Sequence, residues 1–234
     1  MSDTIREQII LAILAKVANI QITAGYNTDC GDNVLRAIPL TDPDNLPYIS
    51  VWPEVEESSK VYGKTVCVMP VKIQTVMEYG SSNPSVIGEG MLGDIIENIQ
   101  GAEYTLPYTT GSTEIEVGDS VVGATSAAIG YVCGVTLATG TWAGGDAAGT
   151  ISLRRLTGTF VAENLKVSGS VVAATTGVIT AVGAITSTTG DLAESIQYVS
   201  GGIENYPEAG TVTIETIITF NIKYNITTGD PYNN

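Results

Sequence analysis

The sequence predicts an α+β fold in which two helices pack on an antiparallel four-stranded sheet, with an all-β small barrel or sandwich inserted into the chain. Apolar residues recur at helical spacing in residues 4–18 and 84–100. Apolar and polar residues alternate in residues 211–226, which is typical of a half-buried antiparallel strand. Residues 104–187 are rich in Gly, Thr, Ala and Val, a composition that favours short strands and tight turns.

The first predicted helix spans residues 4–18. Ile5, Ile9, Ile13 and Val17 recur every four residues and place one apolar stripe along it. We expect this stripe to pack on the sheet, because an amphipathic helix buries its apolar face against another element.

The second predicted helix spans residues 84–100. Pro84 suits the first helical position, and Gly101 follows the last one. Three glycines inside the helix, Gly88, Gly90 and Gly93, each cost up to about 1 kcal/mol relative to alanine. Either burial of the apolar face offsets this cost, or the glycines allow a neighbouring element to approach closely.

Four strands in two antiparallel hairpins are predicted, at residues 48–55, 65–76, 195–206 and 211–226. Residues 56–60 are expected to form the exposed tip of the first hairpin, and residues 207–210 the turn of the second. Pro70 lies inside the second strand. It predicts an edge position or a β-bulge there, because proline has no N–H for the ladder.

The Gly- and Thr-rich middle of the chain is interpreted as an inserted domain. The predicted domains are an α+β core of residues 1–103 and 188–234 and a β domain of residues 104–187. Without the β domain, the helices and hairpins that remain form a two-layer unit with both helices on one face of the sheet. Such insertions are tolerated where the chain ends lie close together, because the cost of loop closure grows only logarithmically with length.

The chain is strongly acidic, with a formal net charge of −15 and a sequence pI near 4.1. Its average surface field repels nucleic acid and offers no attraction to anionic lipid, so neither DNA gripping nor membrane binding is predicted. The acidity serves either solubility alone or a surface or lumen that DNA must pass without sticking.

Catalysis and metal binding are not predicted, and no cofactor is expected. The chain has no histidine, and Cys30, Cys67 and Cys133 show no Cys-x-x-Cys spacing. The commonest general base and the commonest zinc ligands are therefore missing. Residues 27–32 resemble part of a calcium loop, but the glutamate that completes such a loop is absent at the expected distance.

Neither a signal peptide nor a membrane span is indicated near the N-terminus. Acidic residues precede the first apolar run, and Lys16 and Asn19 interrupt the run of residues 9–22. We expect synthesis in a cytoplasm, with reduced thiols.

The order of the predicted elements is distinctive. It runs from a helix through a long loop (residues 24–47) to the phrase Asn45-Leu46-Pro47-Tyr48-Ile49-Ser50-Val51, and then through an acidic loop, a strand, a second helix and a final hairpin. This order and this phrase resemble the tail terminator proteins of long-tailed bacteriophages, also called tail completion or minor tail proteins. The final hairpin, ending in Ile217-Ile218-Thr219-Phe220-Asn221-Ile222-Lys223-Tyr224, belongs to the resemblance, which includes no catalytic motif. Residues 115–128 are similar to the Gly/Thr-rich β-modules of virion proteins, a module that typical terminators lack.

The resemblance implies a structural virion protein that forms a homohexameric ring. Such a ring caps the last ring of the tail tube, ends tube elongation and presents a joining surface to the head connector. The implied partners are the tail tube protein and the head-tail connector or stopper protein, and genomic DNA passes through without specific binding. The implied location is the tail or neck of the virion, after assembly in the host cytoplasm.

The candidate site residues are Glu54, Glu56 and Glu57, which follow the first strand. At a hairpin tip they would face either the ring lumen or a neighbouring subunit. The alternative is a solvated acidic loop with no partner.

Other virion roles remain open at the level of sequence. The chain could be another neck or connector subunit, or a tail tube protein. It could also be a decoration protein whose inserted β-module binds a surface ligand, with Trp142 and Tyr131 as stacking residues. The plainer interpretation of Trp142 is a core residue of a small barrel.

Overall fold

The protein consists of two compact units. The computed structural model describes residues 3–38, 45–207 and 212–234. The helix-backed unit comprises residues 1–21, 26–100 and 184–234, and the barrel unit comprises residues 22–25 and 101–183. Residues 22–25, which the sequence did not associate with the inserted domain, thus belong to the barrel unit.

The secondary structure is mostly strand. Two short 3-10 turns, Ile22–Ala24 and Cys30–Asp32, follow the first helix. In chain order the elements are α1 Ile5–Val17, β1 Val34–Arg36, β2 Tyr48–Pro53, β3 Glu57–Val61, β4 Lys64–Glu78, α2 Pro84–Gln100, β5 Glu103–Gly111, β6 Ser120–Gly123, β7 Ile129–Thr139, β8 Ala147–Thr157, β9 Glu163–Val167, β10 Ser170–Thr175, β11 Thr180–Val182, α3 Ala184–Thr189, β12 Ser195–Asn205 and β13 Thr213–Thr227.

The sheet of the helix-backed unit has six strands in the order β1-β2-β4-β13-β12, with β3 also paired to β4. The central pair is β4 with β13, antiparallel and without a register shift from Thr213↔Glu78 to Thr227↔Lys64. All the other pairs are antiparallel except β1 with β2, which is parallel. The alternation along β13 gives the strand one buried face, since its even residues from Ile214 to Tyr224 are all buried.

The apolar stripe of α1 contributes to the core of this unit, as its spacing predicts. Ile5, Ile9, Ile13 and Val17 are all buried, in one cluster with the inward side chains of β4 and β13. In α2, a Cβ on Gly88 would lie 2.6 Å from Ile203 Cγ1, so this glycine permits a close approach. A Cβ on Gly93 would meet only open space, so no close approach requires this glycine. Burial of the apolar face of α2 must offset the helix-propensity cost of Gly93.

The predicted fold class is wrong. Among the described residues, strand accounts for 47% and helix for 19%, with three helices rather than two and six strands rather than four in the helix-backed sheet. The missed strand β1 has only three residues, and β3 is exposed along its whole length, so neither shows an apolar period. The missed helix α3 is a short Thr- and Ser-rich segment of weak helix formers.

The strands of the barrel unit close on themselves. The order is β10-β9-β6-β7-β8-β5, and β10 pairs with β5 to complete a closed six-stranded barrel, while β11 adds to β5. The pairings are antiparallel, and the closure leaves the six barrel strands without free edges. The largest side chains of its core are Tyr108 and Phe160, each 1% exposed.

A buried carboxylate in the barrel unit fixes the turn between β6 and β7. Glu163 accepts hydrogen bonds from the Ser126 N–H at 2.8 Å, the Ser126 hydroxyl at 2.6 Å, the Thr125 N–H at 2.5 Å and the Val161 N–H at 3.1 Å. Burial raises the pKa of this carboxyl, but the hydrogen bonds outweigh it and lower the pKa to about 2. The charged form is therefore the one that stabilises the fold.

We expect Glu163→Gln to lower the free energy of unfolding of the barrel unit by about 2 kcal/mol, because an amide presents its own N–H groups to backbone donors. The ordinary pKa of the carboxyl is 4.5 and its folded pKa is about 2, so its contribution is complete above pH 4.5 and is lost as the pH falls toward 2. Denaturant unfolding at pH 7 and pH 3, followed by circular dichroism, measures both effects.

Glu116→Gln is the matched control, because Glu116 is exposed in the same unit. Equal stabilities of the Glu163 and Glu116 variants at pH 7 would contradict the role assigned to the buried carboxylate.

Candidate functional site

The predicted acidic loop lies where the strand β2 gives way to β3. Both strands pair with the same side of β4, β2 through Pro53↔Val71 and β3 through Glu57↔Val68. Pro70 lies between these positions, and its carbonyl accepts the Glu54 N–H at 2.9 Å. In an antiparallel strand the N–H and C=O of one residue point to the same side. The N–H that Pro70 lacks would therefore also point toward the break between β2 and β3, where no strand residue needs it.

Pro70 therefore lies in a central strand and not at the predicted edge. The predicted irregularity is present beside it, because residues 54–56 face only Met69 and Pro70 across the break. The missing N–H of Pro70 coincides with the interruption of the neighbouring strand. The true tip of the first hairpin is Tyr62-Gly63, and most of the predicted tip, residues 56–60, is strand β3.

The acidic loop is tied to α1 and β13. Arg6 Nη2 donates to the Glu54 carbonyl at 2.8 Å, and Arg6 Nε lies 3.2 Å from Glu56 Oε2. The Tyr224 hydroxyl donates to the same Glu56 oxygen at 2.6 Å. Glu56 is therefore a partly buried anchor whose carboxylate is already engaged inside the unit.

Two groups beside Glu56, the Tyr224 phenol and the Cys67 thiol, favour their neutral forms. Burial, followed by the hydrogen bond to the Glu56 carboxylate, raises the pKa of Tyr224. Burial and the charge of Glu56 also raise the pKa of the Cys67 thiol. A neutral thiol and a neutral phenol are poor nucleophiles, so this cluster favours structural anchoring over chemistry.

The three predicted site residues have different surroundings. Arg6, Pro53 and residues 54–56 line an open, shallow depression in which Val55 is 90% exposed. The structure brings Glu54 and Glu56 together around Arg6. Glu57 is exposed and begins β3, so it belongs to the strand edge and not to this cluster.

The sequence predicted an exposed tip at residues 56–60 and did not reveal that a separate strand, β3, follows the loop. We define the arm as residues 57–64, which comprise β3, the turn and the first residue of β4. Every residue of β3 is exposed, and Tyr62 at the turn is fully exposed. The sequence feature that marks this turn is Tyr62-Gly63 between two strand-like runs. In the structure these two residues have φ of 42° and 83°, and such a two-residue turn favours glycine at its second position.

The calcium-like segment 27–32 has another role. The Asn27 N–H and side-chain amide and the Thr28 N–H and hydroxyl all donate to the carboxylate of Asp94, which is completely buried. Asp94 thereby anchors the segment onto α2. Its sequence signal was a carboxylate within an apolar helical stripe, and this signal was overlooked.

Metal binding and membrane spanning find no support in the described ranges. Among residues 3–38, 45–207 and 212–234, no group of three or more Cys, Asp or Glu side chains is placed to hold a metal ion. Within the same ranges no helix is both long and apolar enough to span a membrane.

The two aromatic candidates of the barrel unit have partners inside that unit. The rings of Trp142 and Tyr108 stack with centroids 5.1 Å apart and planes 10° apart. The Arg155 guanidinium lies 5.8 Å from the centre of the Tyr131 ring. Each ring therefore has one face covered by a neighbouring side chain.

No protein-family model matches the chain, and no curated protein matches it significantly. A functional proposal for this chain therefore depends on its own sequence and structure.

We expect Glu56→Gln to lower the free energy of unfolding of the helix-backed unit by about 1–2 kcal/mol, because it removes the charge that Arg6 and Tyr224 share. Glu57→Gln is the matched control, one residue away and exposed, and should change stability by less than about 0.5 kcal/mol. Denaturant unfolding of both variants tests the difference. A larger loss for Glu57→Gln would show that the anchor has been assigned to the wrong acid.

Proposed function

We propose that this chain is a structural protein of a long-tailed bacteriophage that caps the tail tube as a ring. The ring ends tube elongation and forms the joining surface to the head connector, and DNA passes through it. The observation that carries the proposal is the union of the two chain ends in one sheet. The phrase at residues 45–51 leads into β2, and residues 217–224 lie in β13, two strands from it across β4.

The distribution of charge supports the passage of DNA without binding. By sequence, the helix-backed unit has 19 of the 25 acidic and 7 of the 10 basic residues, a net charge of −12. The barrel unit has the other six acidic and three basic residues, a net charge of −3. Acidic surface repels phosphate, so a ring built from the helix-backed unit would let DNA pass without holding it.

The state of the thiols also favours a structural role. Burial raises the pKa of Cys30 to about 12, and burial together with Glu56 raises that of Cys67. Thiolate is scarce in such groups at neutral pH. This argues against Cys30 and Cys67 as nucleophiles, and the absence of histidine from the sequence removes the commonest general base.

The partners under this proposal are further copies of the chain, six to a ring, the tail tube protein and the head-tail connector or stopper protein. A decoration role for the barrel unit is not favoured, because Trp142 and Tyr131 are each engaged within that unit. A tube or connector role has the same surface chemistry, and it differs in copy number and position.

We expect a phage that lacks this protein to make tail tubes of uncontrolled length without heads, because nothing ends the stacking of tube rings. Electron microscopy of infected-cell lysates measures tube length, and complementation with the wild-type chain should restore it. Quantitative mass spectrometry of intact virions should give about one ring of copies for each virion. Tails of normal length without the protein, or copies sufficient for many stacked rings, would reject the capping role.

A further inference from the structure

The arm presents an open strand edge. The strand β3 pairs with β4 on one side, and no described strand pairs with its other side. All five of its residues are exposed, so neither face is covered within the described part of the chain. An exposed edge of this kind is a template for pairing with another strand.

The hairpin geometry identifies the backbone groups that point outward. The two-residue turn places Val61 opposite Lys64, and such a flanking pair exchanges both hydrogen bonds. Because the pattern alternates along an antiparallel ladder, Ser59 and Glu57 also bond to β4. The N–H and C=O groups of Ser58 and Lys60 then point away from β4, toward the open side.

The other long edge of the same sheet is β12. It pairs with β13 on one side and ends the strand order, and most of its eleven residues are exposed. It contains no lysine and no proline, two residues that commonly protect edges from pairing. Two register shifts interrupt its ladder with β13, and the Gln100 side-chain amide donates to the Ile196 carbonyl at 2.9 Å. Among the described strands, the short β1 and β3 therefore lie at one side of the sheet, and the longer β12 lies at the other.

The two edges carry opposite charge. The arm has Lys60 and Lys64 against Glu57, a net charge of +1 within a unit of net charge −12. The strand β12 has one charged side chain, Glu204, which is acidic. Glu194, just before the strand, is already paired with Lys223 at 2.7 Å. Opposite charges favour pairing of one edge with the other and disfavour like with like.

We propose that the β3 edge of one copy pairs with the β12 edge of a second copy, so that the sheet continues from subunit to subunit. The contact is heterologous, since two different edges meet, and heterologous contacts build rings or filaments. This inference rests on the proposed ring and names the contact between its subunits. Separate experiments test the capping role and the contact. Tail length tests the capping role in infected cells, and the assembly of purified protein tests the edge.

Ser58→Pro tests the β3 edge most selectively. Proline at position 58 removes an outward N–H and leaves the bonds of β3 to β4 in place. We expect the purified variant to dissociate at protein concentrations where the wild type is assembled, with a dissociation constant raised at least about tenfold. Ser58→Ala is the matched control, because it keeps the N–H, and it should assemble like the wild type.

Analytical ultracentrifugation over a range of concentrations measures the assembly, and circular dichroism verifies that both variants are folded. A wild-type chain that stays monomeric at high concentration would overturn the inference. So would a folded Ser58→Pro variant that assembles as well as Ser58→Ala.

A charge exchange tests β12 as the receiving edge. Lys60→Glu and Glu204→Lys should each weaken assembly several-fold, because each places like charges at the contact. The double variant should assemble better than either single variant, since the exchanged pair attracts again. Purely additive weakening in the double variant would exclude β12 as the partner of β3.

Discussion

The pairing of β4 with β13 is the interaction on which the helix-backed unit depends. It joins residues 64–78 to residues 213–227 along an unbroken antiparallel ladder, across the whole inserted segment. The helices pack against one face of both strands, and the inner side chains of β13 are nearly inaccessible to solvent. Every other strand of this sheet is attached to one member of this pair, directly or through β2. Loss of the pairing would therefore separate the N-terminal helix and the C-terminal strands into segments that cannot bury their apolar faces alone.

Buried carboxylates hold the irregular parts of both units. Asp94 collects donors from residues 27 and 28, and Glu163 collects donors from the turn at residues 125 and 126 and from residue 161. In each case a buried carboxylate fixes a loop by accepting hydrogen bonds from the loop's backbone N–H groups. Glu56 performs a similar task at the break between β2 and β3, with Arg6 and Tyr224 as its partners. Acidity in this chain thus has a local structural use in addition to its effect on the surface field.

Periodicity in the sequence was sufficient for α1, α2 and β13, because each of them buries one face and the apolar spacing records which one. It failed for β3, a strand exposed on both faces, and for β1, which is too short to show a period. The proline in β4 predicted an edge or a bulge, and the structure shows a central strand whose missing N–H falls where the adjoining strand is interrupted. The sequence showed the acidic residues at 54–57 as one group, but it did not show that Glu56 is anchored while Glu57 is exposed. Glu56 differs from its neighbours because Arg6 and Tyr224 approach it, and both are distant in the sequence.

Excision of the inserted segment tests most directly whether the two chain ends fold together. Within the helix-backed unit the Thr188 hydroxyl donates to the Ile99 carbonyl at 2.9 Å, so the chain leaves and returns at neighbouring positions. A short Gly/Ser linker in place of residues 101–183 should therefore close with little strain. We expect the excised protein to unfold cooperatively, with hydrogen-exchange protection of the backbone N–H groups in β4 and β13. A molten chain without protection in these two strands would contradict the account, because the pairing would then depend on the segment that it spans.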